Sequence, residues 1–141
     1  MTGRAVVSIV RRVAFAETDA SGRIHFTAPL RWVEEAEHLL LLRGGVRDVA
    51  CFPRVDVRSQ YLVSLGFDDE VTVELAVVHV GRTSIGYEWR GSRRAETCFK
   101  GRHSVVHVDA EGSPTALPEG LRDLLTEQNR APVTAICVST S

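Results

Sequence analysis

The chain has little lysine, few cysteines and no long apolar run. Of its 17 basic residues only Lys100 is lysine, and together they nearly balance 18 acids to a net charge of −1. A near-neutral balance argues against a dedicated nucleic-acid binder, which carries a basic face or stripe. Arginine in place of lysine has two readings: selection for forked contacts to phosphates, or a uniform codon bias. Cys51, Cys98 and Cys137 are widely spaced and odd in number, with no CxxC pair among them. Neither a zinc site nor a disulfide framework is expected, and reduced thiols in a cytoplasm fit best. The apolar run near the N-terminus is broken by Arg11 and Arg12, unlike the core of a signal peptide. No segment reaches the roughly 20 apolar residues that span a bilayer. The expectation is a cytoplasmic protein with neither membrane nor nucleic acid among its partners.

What is present suits one domain. The 141 residues can bury roughly two-thirds of their unfolded surface in a single core, expected over about 5–128 with a flexible tail at 129–141. Residues 5–16 read as a strand, with Val7, Ile9, Val13 and Phe15 on one face. The segment APLRWVEEAEHLLLLRGG reads as a helix, with Pro29 in its first turn and Gly44–Gly45 as its stop. Trp32, Val33, Ala36, Leu39 and Leu40 form its apolar arc, opposite Arg31, Glu34, Glu35 and His38. Glu34, Glu35 and Glu37 are most simply a solvated face, and leucines outside the arc suggest contact with another subunit.

Val55, Val57 and Tyr61 then alternate with polar residues, as do Val71, Val73, Leu75 and Val77. Ile85, Tyr87 and Trp89 follow a turn at Gly81, and 97–108 forms a further strand with Gly101 as a bulge. PEGLRDLLTEQ is a short terminal helix. The plan is α+β, an antiparallel sheet with one long helix across a face. One helix cannot cover both faces, so pairing with another copy is expected.

The chemistry concentrates in FAETDASGRIHFTAPLRW. DASG is good type I turn sequence, so Asp19 has a purely structural reading. Against it stands the neighbourhood: the loop runs into a helix N-terminus, where backbone N–H groups stabilise negative charge. An acid beside an oxyanion-binding helix end is a minimal kit for hydrolysing an acyl compound. No GxSxG elbow is present. His25 is either a polar loop residue or a substrate-side group. His79, His103 and His107 lie on expected strands without carboxylates at ligand spacing, so no metal is expected. In GRTSIGYEWR, Arg82, Thr83 and Ser84 are read most simply as a hairpin turn.

The ordered motifs resemble a known family. FAETDASGRIHFTAPLRWVEEAE is similar to the signature segment of the 4-hydroxybenzoyl-CoA thioesterase-like branch of the hotdog-fold acyl-CoA thioesterases. That segment has D-x-x-G and then a helix bearing W/Y-x-E-x-A, matched here by Asp19, Gly22, Trp32, Glu34, Glu35 and Ala36. YLVSLGFDDEVTVEL and VGRTSIGYEWR resemble later strand starts of the same family.

The resemblance implies a hotdog fold, a curved antiparallel sheet wrapped around one long helix, in a homodimer or homotetramer with sites between subunits. It implies an acyl-CoA thioesterase in which Asp19 is general base or nucleophile. The backbone at Phe26 would polarise the thioester oxygen, with His25 beside it. Gly22 and Thr27 would touch substrate, and Arg82, Thr83 and Ser84 would lie near the CoA arm. No cofactor is implied, CoA being part of the substrate. Alternatives are release of an acyl or polyketide chain from an acyl-carrier protein, and a non-catalytic acyl-binding or assembly module. The chain departs from the family at Phe26, which has no polar side chain, at Pro29 and around Ser64.

Overall fold

A computed structural model describes residues 6–126 and the backbone of 136–137. Strand β1 (Val6–Arg12) precedes helix α1 (Ala28–Arg43). Strands β2 (Arg54–Tyr61), β3 (Glu70–Val80), β4 (Ser84–Arg93) and β5 (Glu96–Val106) follow, then α2 (Glu119–Thr126) and a two-residue strand β6 (Ile136–Cys137). The sheet order is β2-β5-β4-β3-β1-β6. The first five strands pair antiparallel, and β6 is parallel to β1. Of the expected tail 129–141, everything except the backbone of 136–137 lies outside the described residues.

Period-two alternation assigns the two faces of the sheet. Ile9, Val73, Leu75, Tyr87, Trp89, Phe99 and Val105 are buried on the inner face. Helix α1 lies against that face through Trp32, Val33, Ala36, Leu40 and Leu41. The helix stops as its sequence predicts. Gly45 takes φ +85°, and the Gly44 and Val46 N–H groups return to the carbonyls of Leu40 and Leu41, a close relative of the Schellman ending. A Cβ at Gly44 would stand 2.6 Å from the Leu121 side chain, so the missing side chain is what lets α2 dock Leu121, Leu124 and Leu125 on the core. Among the described residues no helix is long and apolar enough to cross a membrane.

Four expectations are corrected. The β1–β3 ladder ends at Arg12–Glu70, and the chain then turns through Phe15–Glu17. Phe15 is 77% exposed there, its ring edge-on to exposed Phe67. The Glu17 carboxylate drives the turn by accepting from the Ala14 N–H and the Trp32 indole N–H at 2.8 and 2.6 Å.

Glu37 is not solvated. It is fully buried and ion-paired with Arg54, with the His103 ring 3.4 Å away. Val55, Val57 and Tyr61 are exposed in the single chain, because β2 is an edge strand on which α1 does not lie. Gly101 keeps regular register with Ser59 and Trp89 and makes no bulge. Its role is close approach, since a Cβ there would fall 2.2 Å from the Arg58 carbonyl.

Candidate active site

The DASG segment does form a turn. The Gly22 N–H bonds the Asp19 carbonyl at 2.9 Å with Gly22 at φ +80°, and the Asp19 N–H bonds the Arg23 carbonyl. Thr18 bridges Ile24 antiparallel, so residues 18–24 close as a miniature hairpin. The hairpin is anchored by Arg23 against Gly66 and by the Ile24 N–H to the Leu65 carbonyl. Asp19 Oδ1 accepts from both the N–H and the hydroxyl of Ser21. These bonds, the side-chain one first, hold the Asp19 carboxyl below its ordinary range, and His25 adds to the effect. The carboxylate is thus ionised at neutral pH, with its second oxygen uncommitted among the described residues.

From this hairpin the chain passes through His25 and Phe26 into α1. His25 Nδ1 accepts from the Thr27 N–H at 3.2 Å and lies 2.7 Å from the Thr27 hydroxyl. The Ala28 N–H is taken by the His25 carbonyl, and Pro29 has no N–H. The Phe26 N–H, in contrast, donates to no described group. A helix start whose other donors are taken leaves this one to an incoming oxygen.

Asp19 and Phe26 line one cavity of about 310 Å³, with Tyr61, Leu62, Val63, Ser64, Cys98 and Phe99 on its far wall. Burial pushes the Cys98 thiol up, so it stays protonated and is no rival nucleophile. A second cavity of about 320 Å³ is lined by Thr27, by apolar Leu30, Val33, Val57 and Trp89, and by polar Glu34, Arg54 and His103. Tyr61 escaped the sequence reading. Its hydroxyl donates to the Phe26 carbonyl, a contact 35 residues apart for which no local pattern exists.

Asp19, Gly22, His25, Phe26 and Thr27 are therefore brought together within one chain. Within the same chain, Arg82, Thr83 and Ser84 lie apart from them. Phe99, which lines the cavity with Asp19, and Val106, opposite Ser84, are the ends of an eight-residue run of β5, seven steps or roughly 23 Å at strand rise. The backbone at this hairpin instead secures the C-terminal segment: the Arg82 carbonyl accepts from the Leu117 N–H and Arg122, and the Thr83 carbonyl from the His107 N–H. Among the described residues no three His, Cys, Asp or Glu side chains gather as metal ligands.

A model of the thioesterase superfamily matches residues 21–98, more than half of the 141 residues. The chain belongs to the thioesterase superfamily. Among its relatives, a 1,4-dihydroxy-2-naphthoyl-CoA hydrolase of Prochlorococcus marinus is 29% identical over 127 residues, covering 79% of this chain and 81% of the relative. The solved 1,4-dihydroxy-2-naphthoyl-CoA thioesterase of Synechocystis superposes with a TM-score of 0.82 at 16% identity, covering 90% of this chain and all of that one. An Asp-to-Asn mutant of 4-hydroxybenzoyl-CoA thioesterase, in complex with 4-hydroxybenzoyl-CoA, superposes with a TM-score of 0.77. It is 16% identical, with 86% of this chain and 99% of that one covered. The expected hotdog fold is thus the fold of this thioesterase, and the expected class, thioester hydrolase, is that of its relatives.

Proposed function

We propose that this thioesterase hydrolyses an acyl-CoA to the free acid and CoA at the cavity shared by Asp19 and Phe26. The observation that carries the reading is the pairing of an ionised acid with an uncommitted backbone donor at the start of α1. Water attacks the thioester carbonyl carbon while the outward oxygen of Asp19 takes its proton. The oxyanion is held by the Phe26 N–H. Collapse breaks the C–S bond, and the proton returns to the leaving sulfur. The same geometry allows Asp19 to attack directly, giving a mixed anhydride that water then cleaves. Proton transfer and oxyanion stabilisation each contribute about 10²-fold or more in enzymes of known mechanism. The cavity between Leu30, Val57 and Trp89 takes the acyl group.

CoA thioesters are favoured over carrier-bound ones by the relatives, whose named substrates are CoA compounds. Thiol release measured on the same acyl group carried by CoA and by a carrier protein tests this choice, and faster release from the carrier overturns it. Two-subunit assembly is supported by β2, an edge strand carrying exposed Val55, Val57 and Tyr61, a surface that invites pairing with a second edge. A homodimer or homotetramer should be seen by light scattering. A monomer that turns over at full rate overturns this part of the reading.

A further inference from the structure

One side chain ties the start of α1 to the far strand of the sheet. Residues 25–27 make their other hydrogen bonds close by. The His25 N–H donates to the Glu17 carbonyl at 2.7 Å, and the His25 carbonyl accepts from the Ala28 N–H at 2.9 Å. The Thr27 carbonyl accepts from the Leu30 and Arg31 N–H groups, and the Thr27 N–H returns to His25 Nδ1. Phe26 differs. It precedes the N-cap Thr27, and no backbone N–H reaches its carbonyl. That carbonyl accepts from the Tyr61 hydroxyl instead. Among the described residues this is the only hydrogen bond of 25–27 that leaves the segment 17–31.

Tyr61 is itself well held. It pairs with Phe99 across the β2–β5 ladder. Just beyond it the Leu62 and Val63 N–H groups both donate to the Cys98 carbonyl, at 2.8 and 3.0 Å. Tyr61 and Phe26 line the same cavity as Asp19. The peptide joining Phe26 to Thr27 is therefore gripped at both polar atoms, by Tyr61 at the oxygen and by His25 Nδ1 at the N–H. The preceding peptide carries the Phe26 N–H, and Ala28 fixes it through the His25 oxygen. The two planes are rigid and meet at the Phe26 Cα, so fixing both leaves the uncommitted N–H one direction. Tyr61 is 48% exposed. Water competes for its hydroxyl there, and the bond adds little to stability. Its weight falls on geometry, because a misplaced donor loses much of its effect on a transition state. We propose that Tyr61 is a positioning residue whose hydroxyl holds the Phe26 peptide so that the Phe26 N–H meets the oxyanion. This rests on the acyl-CoA reading above.

The test is Tyr61→Phe, which keeps the ring and removes only the hydroxyl. On an acyl-CoA kcat should fall about tenfold, short of the roughly 10²–10³-fold cost of deleting an oxyanion donor outright. KM should stay within about twofold, since the donor acts on charge that develops in the transition state. The melting temperature should match that of the wild type. The acid limb of kcat/KM should not move, because Asp19 keeps both bonds from Ser21. A spectroscopic readout separates positioning from general loosening. In Asp19→Asn, where turnover is slow, the carbonyl stretch of the bound thioester should lie below that of the free thioester. Adding Tyr61→Phe should carry it back toward the free value. An unchanged kcat, a rise in KM alone, a lowered melting temperature, a shifted acid limb or an unmoved stretch each overturns the proposal and leaves hydrolysis standing. A kcat loss accompanied by a change of subunit number in light scattering also overturns it, assigning Tyr61 to a contact between copies. If the wild type cleaves no acyl-CoA, the activity reading fails and this role falls with it.

Discussion

Two acids near α1 have opposite fates. Asp19 is exposed on a tight hairpin, with one oxygen bound by Ser21, and lines a cavity. Glu37 is fully buried, with one oxygen shared between Arg54 and the neighbourhood of His103. The second oxygen of Glu37 is also without a partner among the described residues, as are the Tyr87 hydroxyl and His103 Nε2. His103 Nδ1 accepts from the Trp89 indole N–H at 3.0 Å. Burial, with the Glu37 charge as a lesser cause, pushes the Tyr87 hydroxyl well above its ordinary value. The polar cluster around Glu37 fixes how helix and sheet meet. The Asp19 turn leaves an ionised side chain at the wall of a cavity. On the proposed reading, one acid acts on stability and the other on turnover.

The contrast is broken most severely by exchanging the losses. Asp19→Asn should lower kcat by about 10²–10⁴-fold and leave the melting temperature unchanged, because the exposed side chain keeps an oxygen for Ser21. Near-normal hydrolysis by this variant across a panel of acyl-CoAs would sink the catalytic assignment. Glu37→Ala should do the reverse. Breaking a buried ion pair leaves Arg54 without its closest counter-charge, and partial exposure of that side chain moderates the loss to about 2–3 kcal/mol of stability. Chemical denaturation measures it, and a variant as stable as the parent would show that the cluster is not structural.

How much of this was legible in the sequence follows from the range of the interactions. The Asp19 turn and the limits of α1 are local: an Asp–Gly turn, an early proline and a glycine stop act within four residues, and all stand where the residues put them. The solvated reading of Glu37 failed because its partners, Arg54 and His103, are 17 and 66 positions away and become neighbours only when β2 and β5 pair. Val55 and Val57 alternate like core residues because an edge strand obeys the same period of two as a central one. The Tyr61 bond to the Phe26 carbonyl was invisible for the same reason as the Glu37 pair, its partners standing 35 positions apart.

A smaller effect separates side chain from backbone at the helix start. If the Phe26 N–H is the oxyanion donor, Phe26→Ala should change kcat by no more than a few-fold, since the backbone donor survives; the ring tilted against His25 at 4.6 Å would be lost. A loss as large as that of Asp19→Asn would move the role from the N–H to the aromatic side chain, with kcat/KM on a single acyl-CoA as the readout.

The smallest expected effect concerns the acid limb of the pH profile. The Ser21 hydroxyl is the first cause of the lowered Asp19 pKa. A lowered pKa means the active carboxylate persists to more acid pH, and activity falls only when protonation finally overtakes it. Ser21→Ala removes the side-chain bond and keeps the Ser21 N–H, so the Asp19 pKa should rise part of the way toward its ordinary value. The acid limb of kcat/KM should then move to higher pH, with the plateau near neutrality little changed. Movement in the opposite direction, or a plateau that collapses with the limb in place, would mean that Ser21 positions the hairpin rather than tuning its acid.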